Sequence, residues 1–417
     1  MAKGNVGSTY QPYQPPVGGR DLLPLDVVQK RWIEDRLEEV FQRWGYHRII
    51  TPTVETMDTL MAGGAIERVE VIELQIGQVG EQRLGLRPEL TASIARAAVT
   101  RLASVTYPQR LYYNANVFRR SAKGAQGGQQ EYHQAGIELL GSSGLMADAE
   151  AVLLVADCLR AVKLPGANIV LGEAALTYSL LAPFPEDIRE TVRQNIADLN
   201  RVALEALPLA EDLRAIALQL MDLRGEPKAV LETLANNFEL SNEQKSLVSR
   251  LQRLIELLIS RNSPPVTLDL SLIRPFDYYT GIVFEVVSNQ NAQLLGQGGR
   301  YDDLLAVYDP NPESKGFPGI GFVLNIDQLH QELVSGSELP GETPPSDWLI
   351  VPKGEEAASA ALDYAQKARE SANIVRVELS LDFEQSVDDV RAIARKRNIS
   401  RIVWISAQGL PDIEIVN

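Results

Sequence analysis

Two stretches, RLYYNANVFRR (110–120) and EYHQAGIELLG (131–141), constrain this chain more than any other feature. They flank SAKGAQGGQQ, a connector too rich in glycine and polar residues to pack, so they read as a pair of strands joined by a loop. Side chains alternate faces along a strand. In the second stretch His133, Ala135, Ile137 and Leu139 therefore share one face, and Tyr132, Gln134, Gly136 and Glu138 share the other. The second face sets an amide and a carboxylate on either side of a glycine. That pattern is either the floor of a small polar pocket or the solvated face of an antiparallel sheet.

The rest of the chain surrounds this pair with alternating helices and strands. At 417 residues it has room for two or three domains. Residues 1–16 read as a flexible tail. A helix follows over about 26–44, with Ile33, Leu37, Val40, Phe41 and Trp44 at the spacing of a half-buried stripe. YHRIITPTVE is a strand carrying Pro52, which cannot donate to a ladder and so marks an edge or an interface. Short strands at 69–76 and 81–86 come next, with Ile72, Leu74 and Ile76 alternating, and Pro88 opens a helix. Helix 145–163 and strand 168–173 precede a long helical stretch, 185–262, which reads as an insertion between two halves of a sheet domain. Strands at 266–273 and 278–287, the glycine-rich GQGGRYDDLL and GFPGIGFVLNIDQL, and a closing helix complete a first domain over 17–335. Residues 336–346 form a linker by composition, and 347–417 alternate strand, helix, strand, helix, strand as a small α/β domain. The fold class expected is α+β.

Several chemistries are excluded. One cysteine, Cys158, rules out a disulfide scaffold and fits a reducing cytosol. With only His47, His133 and His330 besides, no cluster has zinc-site spacing. The longest apolar runs, such as AVLLVA at 151–156, are too short to span a membrane, and the N-terminus has no apolar signal region. No phosphate-binding P-loop is present, and GQGGRYD lacks the last glycine of a dinucleotide fingerprint. A net charge of −15 counts against a nucleic-acid partner. Glu89 and Glu138 could act as an acid/base pair or could bind a cationic ligand.

LRPELTA (86–92), FRR followed by QEYHQAGIELLG, IRPFDYYTGIVFE (273–285) and GGRYDDLL (298–305) together resemble the histidyl-tRNA synthetase family in order and spacing. Pro52 and Glu55 look like its first class II motif, and the resemblance covers roughly residues 17–330. It implies a class II synthetase-like antiparallel sheet with flanking helices, and a histidine pocket. By that resemblance Glu89 and Thr91 stand where the ligand's α-amino group is held, and Gln134 reaches the same end. Glu138 and Tyr278 meet the imidazole with Tyr279 beside them, and Arg274 contacts the carboxylate. A zwitterionic ligand needs such a set, an acceptor for its ammonium, a cation for its carboxylate and a polar partner for its ring.

The departures from the family bear on activity. Arg119 keeps the arginine of the second class II motif, but the glutamate two residues on is Ser121. In the third motif Asp327 and Gln328 stand where the synthetases have Glu-Arg, and glutamine lacks the charged fork that steadies a triphosphate. The C-terminal domain resembles a truncated anticodon-binding domain. A domain that keeps histidine and loses ATP is similar to the regulatory branch of the family, which serves ATP phosphoribosyltransferase. That branch implies a non-catalytic role with no cofactor and a cytoplasmic location. Its partner would be a short-form ATP phosphoribosyltransferase catalytic subunit, and L-histidine the feedback effector. A homodimer formed through the first-motif surface would join a hetero-oligomer. The alternative is a divergent histidyl-tRNA synthetase.

Overall fold

The structure, a computed structural model, describes residues 13–64, 66–75, 82–120, 128–164, 166–272, 278–336, 338–371 and 374–416. Residues up to Pro340 and from Gly341 onward form two compact units.

The first helix, α1 (Pro24–Arg43), starts two residues before the apolar stripe suggests. Proline costs nothing at a first helical position, and the Asp26 carboxylate accepts the Leu23 amide at 3.0 Å. Ile33, Leu37 and Phe41 are fully buried. The same face also buries Lys30 and Glu34, which the apolar spacing does not reveal. The Pro52 stretch is not one strand: β1 (His47–Arg48) and β2 (Val54–Thr56) lie on either side of the proline and enter different sheets. After helix α2 (Met57–Ala62), the span expected as strand 69–76 opens instead with a 3-10 turn, Arg68–Glu70. It then contributes only β3 (Glu73–Leu74), which pairs with β4 (Leu84–Leu86), and Ile76 lies outside the described residues. Helix α3 (Thr91–Thr100) begins three residues after Pro88 because the Glu89 carboxylate occupies its first amides.

The hairpin strands are β5 (Gln109–Phe118) and β6 (Glu131–Leu140), paired antiparallel from Gln109↔Leu140 to Phe118↔Glu131. Helix α4 (Leu145–Ala161), strand β7 (Ala167–Glu173) and helix α5 (Ala174–Leu181) lead into the insertion. There α6 (Glu186–Ala197), α7 (Arg201–Glu205), α8 (Glu211–Asp222), α9 (Pro227–Asn237) and α10 (Asn242–Ser260) are interrupted only by a two-residue strand, β8 (Arg224–Gly225). The chain returns through β9 (Val266–Asp269), β10 (Ile282–Ser288), β11 (Leu294–Arg300), α11 (Leu304–Tyr308), β12 (Gly319–Asn325) and α12 (Ile326–Val334).

These strands form a nine-stranded sheet in the order β1-β5-β6-β12-β11-β10-β7-β9-β8, antiparallel except at β1/β5 and β7/β9. One face carries the larger core. Ala135, Ile137 and Leu139 of β6 meet Ile33 and Leu37 of α1, Leu154 of α4 and Leu254 of α10 there. On the other face a smaller core joins α3, α11 and Tyr113 of β5. Both faces of the sheet are therefore covered, and the solvated-face reading of β6 is overturned. The alternation in β6 separates two interiors, one apolar and one polar.

The second unit contains β13 (Trp348–Pro352), α13 (Ala358–Arg369), β14 (Val377–Leu379), α14 (Val387–Lys396) and β15 (Arg401–Ile405), with β13 parallel to both neighbours. A further strand, β16 (Pro411–Ile415), pairs antiparallel with β15 and gives the order β14-β13-β15-β16. The strand-helix reading ended at RIVWIS and missed β16. Its outer side chains Ile413 and Ile415 remain exposed, so burial leaves little trace of it in the sequence.

Candidate functional site

A small polar cavity opens on the smaller-core face of the sheet. Glu89, Thr91, Arg119, Gln134, Glu138, Tyr278 and Tyr279 all line it. Arg274 and Ser121 lie outside the described residues. Gln328 sits in the first turn of α12 and is not among the residues that line the cavity. Its backbone N–H donates to Asn325 Oδ1 at 3.2 Å, and its side-chain oxygen is buried without a partner among the described residues.

Glu138 is the centre of the arrangement. It is 1% exposed, at the position of β6 flanked by Leu111 of β5 and Gly321 of β12. Thr91 Oγ1 donates to its Oε1 at 2.8 Å, and the Tyr301 hydroxyl donates to its Oε2. Burial pushes the carboxyl up to about 8, and the nearby Glu89 adds to the rise, whereas the Tyr301 and Thr91 hydroxyls oppose it. Near neutral pH this carboxyl is thus mostly protonated. Gly321 leaves the space for that side chain, since a methyl there would overlap the carboxylate. Gly136, between Gln134 and Glu138, does the same for Tyr113, whose hydroxyl would stand 2.6 Å from an added Cβ. The glycine in the β6 pattern is there for close approach of a side chain rather than for a turn.

Glu89 lies at the start of α3. Its Oε2 accepts the Thr91 amide at 2.5 Å and its Oε1 the Ala92 amide at 2.9 Å. Burial raises this carboxyl too, against those amides and the charge of Arg119. Arg119 is placed by its Nε, which donates to the Pro88 carbonyl at 2.8 Å. Among the described lining residues it is the one basic side chain.

Tyr278 and Tyr279 both line the cavity, with ring centroids 4.7 Å apart. Consecutive strand residues point to opposite faces, so the expected strand 278–287 cannot begin there, and β10 starts at Ile282. Tyr278 meets Tyr301 edge to face at 5.8 Å. Tyr113, Gln297 and Tyr301 also line the cavity and were not singled out from sequence. Tyr301 lies within GGRYDDLL, so its motif was visible while its contact with Glu138 was not. Tyr113 and Gln297 sit on strands whose neighbours only the sheet order reveals.

Asp327 occupies a different place. It faces α1 and accepts from buried Lys30, from Arg20 at 2.9 Å, from the His133 amide at 2.9 Å and from Gln129 at 3.2 Å. Burial works against its ionised form, but Lys30, the His133 amide and Arg20 outweigh it and hold the carboxyl below its usual range. The described residues contain no group of three or more His, Cys, Asp or Glu able to hold a metal, and no helix long and apolar enough to cross a membrane.

A large, mainly antiparallel sheet with a polar cavity on one face and a helical insertion after β7 defines a class II synthetase-like domain. The histidyl-tRNA synthetase family model matches residues 18–329. A crystal structure of a histidyl-tRNA synthetase from Nostoc shares the fold, with a TM-score of 0.75, 20% identity and 97% of each chain covered. A structure described as an ATP phosphoribosyltransferase regulatory subunit/histidyl-tRNA synthetase from Bacillus halodurans has a TM-score of 0.78 at 27% identity, covering 94% of this chain and 98% of that one. An ATP phosphoribosyltransferase regulatory subunit from Nostoc is 54% identical over 407 residues, 97% of this chain and 99% of its own. A Cyanothece protein of the same name is 55% identical over 408 residues, with the same coverage. The chain belongs to the ATP phosphoribosyltransferase regulatory subunit family, within the histidyl-tRNA synthetase-like proteins.

Proposed function

We propose that this chain is a regulatory subunit that binds L-histidine in the cavity and conveys its level to a short-form ATP phosphoribosyltransferase catalytic subunit, with no catalysis of its own. The observation that carries this reading is the polar set around Glu138 beside a single described arginine. Glu89, Thr91 and Gln134 would receive the ammonium group, and Glu138 with Tyr278 and Tyr279 the imidazole. Arg119 would meet the carboxylate, joined by Arg274 on the family pattern. A protonated Glu138 facing a neutral imidazole can pass its proton to the ring, giving an ion pair without drawing a proton from solvent. Discrimination follows from burial, because a side chain without ring nitrogens offers Glu138 no base to take its proton and so no ion pair.

To regulate, histidine must bind one state of the assembly more tightly than another. A coupling of about 1–3 kcal/mol corresponds to a roughly 5–150-fold response. The assembly would contain a homodimer formed through the Pro52 surface, joined to catalytic subunits. Asp327 and Gln328 replace the Glu-Arg of an activating site, which supports regulation over aminoacylation. Two measurements test the reading. Calorimetry should show heat with L-histidine and none with L-phenylalanine, and histidine-dependent ATP–pyrophosphate exchange should be absent. Robust exchange would replace this reading with that of a working synthetase.

A further inference from the structure

The segment 48–56 presents two different sides. Outward it shows Ile50, 82% exposed, and Val54. Inward it is gripped twice, at Thr51 and at Glu55, both buried. Arg87, 5% exposed, donates from Nη1 to the Thr51 carbonyl at 2.8 Å and from Nε to the Asn116 carbonyl of β5 at 3.0 Å. The Arg87 backbone N–H also donates to the Thr53 carbonyl at 3.0 Å. Arg96 donates from Nη2 and Nε to Glu55 Oε2 at 2.7 and 3.1 Å. Neither arginine lines the cavity, yet each belongs to the piece of chain that builds its wall. Arg87 stands two residues before Glu89, and its carbonyl accepts the Phe118 amide beside Arg119. Arg96 lies one turn along the helix that Thr91 begins.

Arg87 spreads its planar guanidinium over carbonyls of two segments and Arg96 closes two donors on one Glu55 oxygen, so the two ends of each grip are not free to move apart. The segment between them, 87–96, is the only connection either arginine needs to reach Glu89 and Thr91. We propose that Arg87 and Arg96 are positioning residues that tie the 48–56 segment to the histidine cavity, so that filling the cavity stiffens the segment and loosening the segment weakens histidine binding. This rests on the histidine reading of the cavity. Linkage makes the effect reciprocal, since whatever histidine does to the segment, the segment does to histidine affinity.

The test is hydrogen exchange of the full chain with and without saturating L-histidine, read on peptides spanning 47–56 and accompanied by calorimetry. The expected result is exchange slowed at least about fivefold in that span, although no residue of it lines the cavity. In Glu55→Gln, which keeps the side-chain shape and removes the charge, histidine affinity should fall at least about fivefold and the ligand-dependent protection should shrink. Arg87→Lys should do the same by removing the fork while keeping the charge. A purely structural role would lower protection equally with and without ligand, and that outcome overturns the proposal. Heat of binding with unchanged exchange in 47–56 of the wild-type chain also overturns it, and needs no variant to fold. Absence of any binding heat removes the histidine reading and this inference together, and is told apart by the calorimetry alone.

Discussion

Replacing Glu138 with glutamine isolates the electrostatic cost built into the cavity. Burial moves the carboxyl from 4.5 to about 8, and one pKa unit is roughly 1.36 kcal/mol, so ionising it costs about 5 kcal/mol more in the folded chain than in the unfolded one. The folded value lies above the unfolded one. The stabilisation from holding the proton is therefore complete below pH 4.5 and is lost as pH rises through about 8. Glutamine keeps the shape and has no proton to lose. Urea denaturation of both proteins, without histidine, should show wild type losing about 4 kcal/mol relative to the variant between roughly pH 5 and 8, near 1.4 kcal/mol per pH unit. The comparison cancels the titrating groups that do not interact with Glu138; Glu89 does interact with it, so its response is part of the difference. Saturating histidine should flatten the difference, because an imidazolium partner lowers the carboxyl again. Parallel stability curves for the two proteins would refute the argument, showing that Glu138 titrates as it does in water.

Tyr301→Phe deletes a hydroxyl that favours the ionised carboxylate, so the Glu138 transition should move to higher pH, measured by the same comparison. Gly321→Ala places a methyl against Glu138 and should cost about 1–3 kcal/mol of stability by urea titration, with histidine binding lost by calorimetry. Asp327→Ala leaves Lys30 buried without its charge partner, and thermal and chemical denaturation should report a loss of about 3–5 kcal/mol.

Much of the site was legible because its residues obey strand geometry. Gln134 and Glu138 share a face by period 2, and the structure sets both in the cavity. The α1 stripe was legible for the same reason, through helical period. What stayed hidden breaks a period or depends on distant chain. Tyr278 and Tyr279 abandon the strand alternation. Lys30 and Glu34 interrupt an apolar stripe with polar partners that lie far away in sequence, such as Asp327. Pro52 was read correctly as incompatible with an interior ladder, but not as the point where the chain passes from one sheet to another. Strand β16 was missed because short, half-exposed strands carry little apolar signal.

The two bare positions beneath Glu138 and Tyr113 have a consequence for ligand choice. Where a wall is built of side chains, a larger guest can enter by flipping rotamers. Gly321 and Gly136 instead seat Glu138 and Tyr113 directly against main chain, so these two side chains have no room to retreat, and paired strands yield far less readily than side chains. An indole would have to bend the ladder itself. Drift at the rim residues can therefore weaken or strengthen binding while the size limit stays in place, enforced by the stiffness of the backbone.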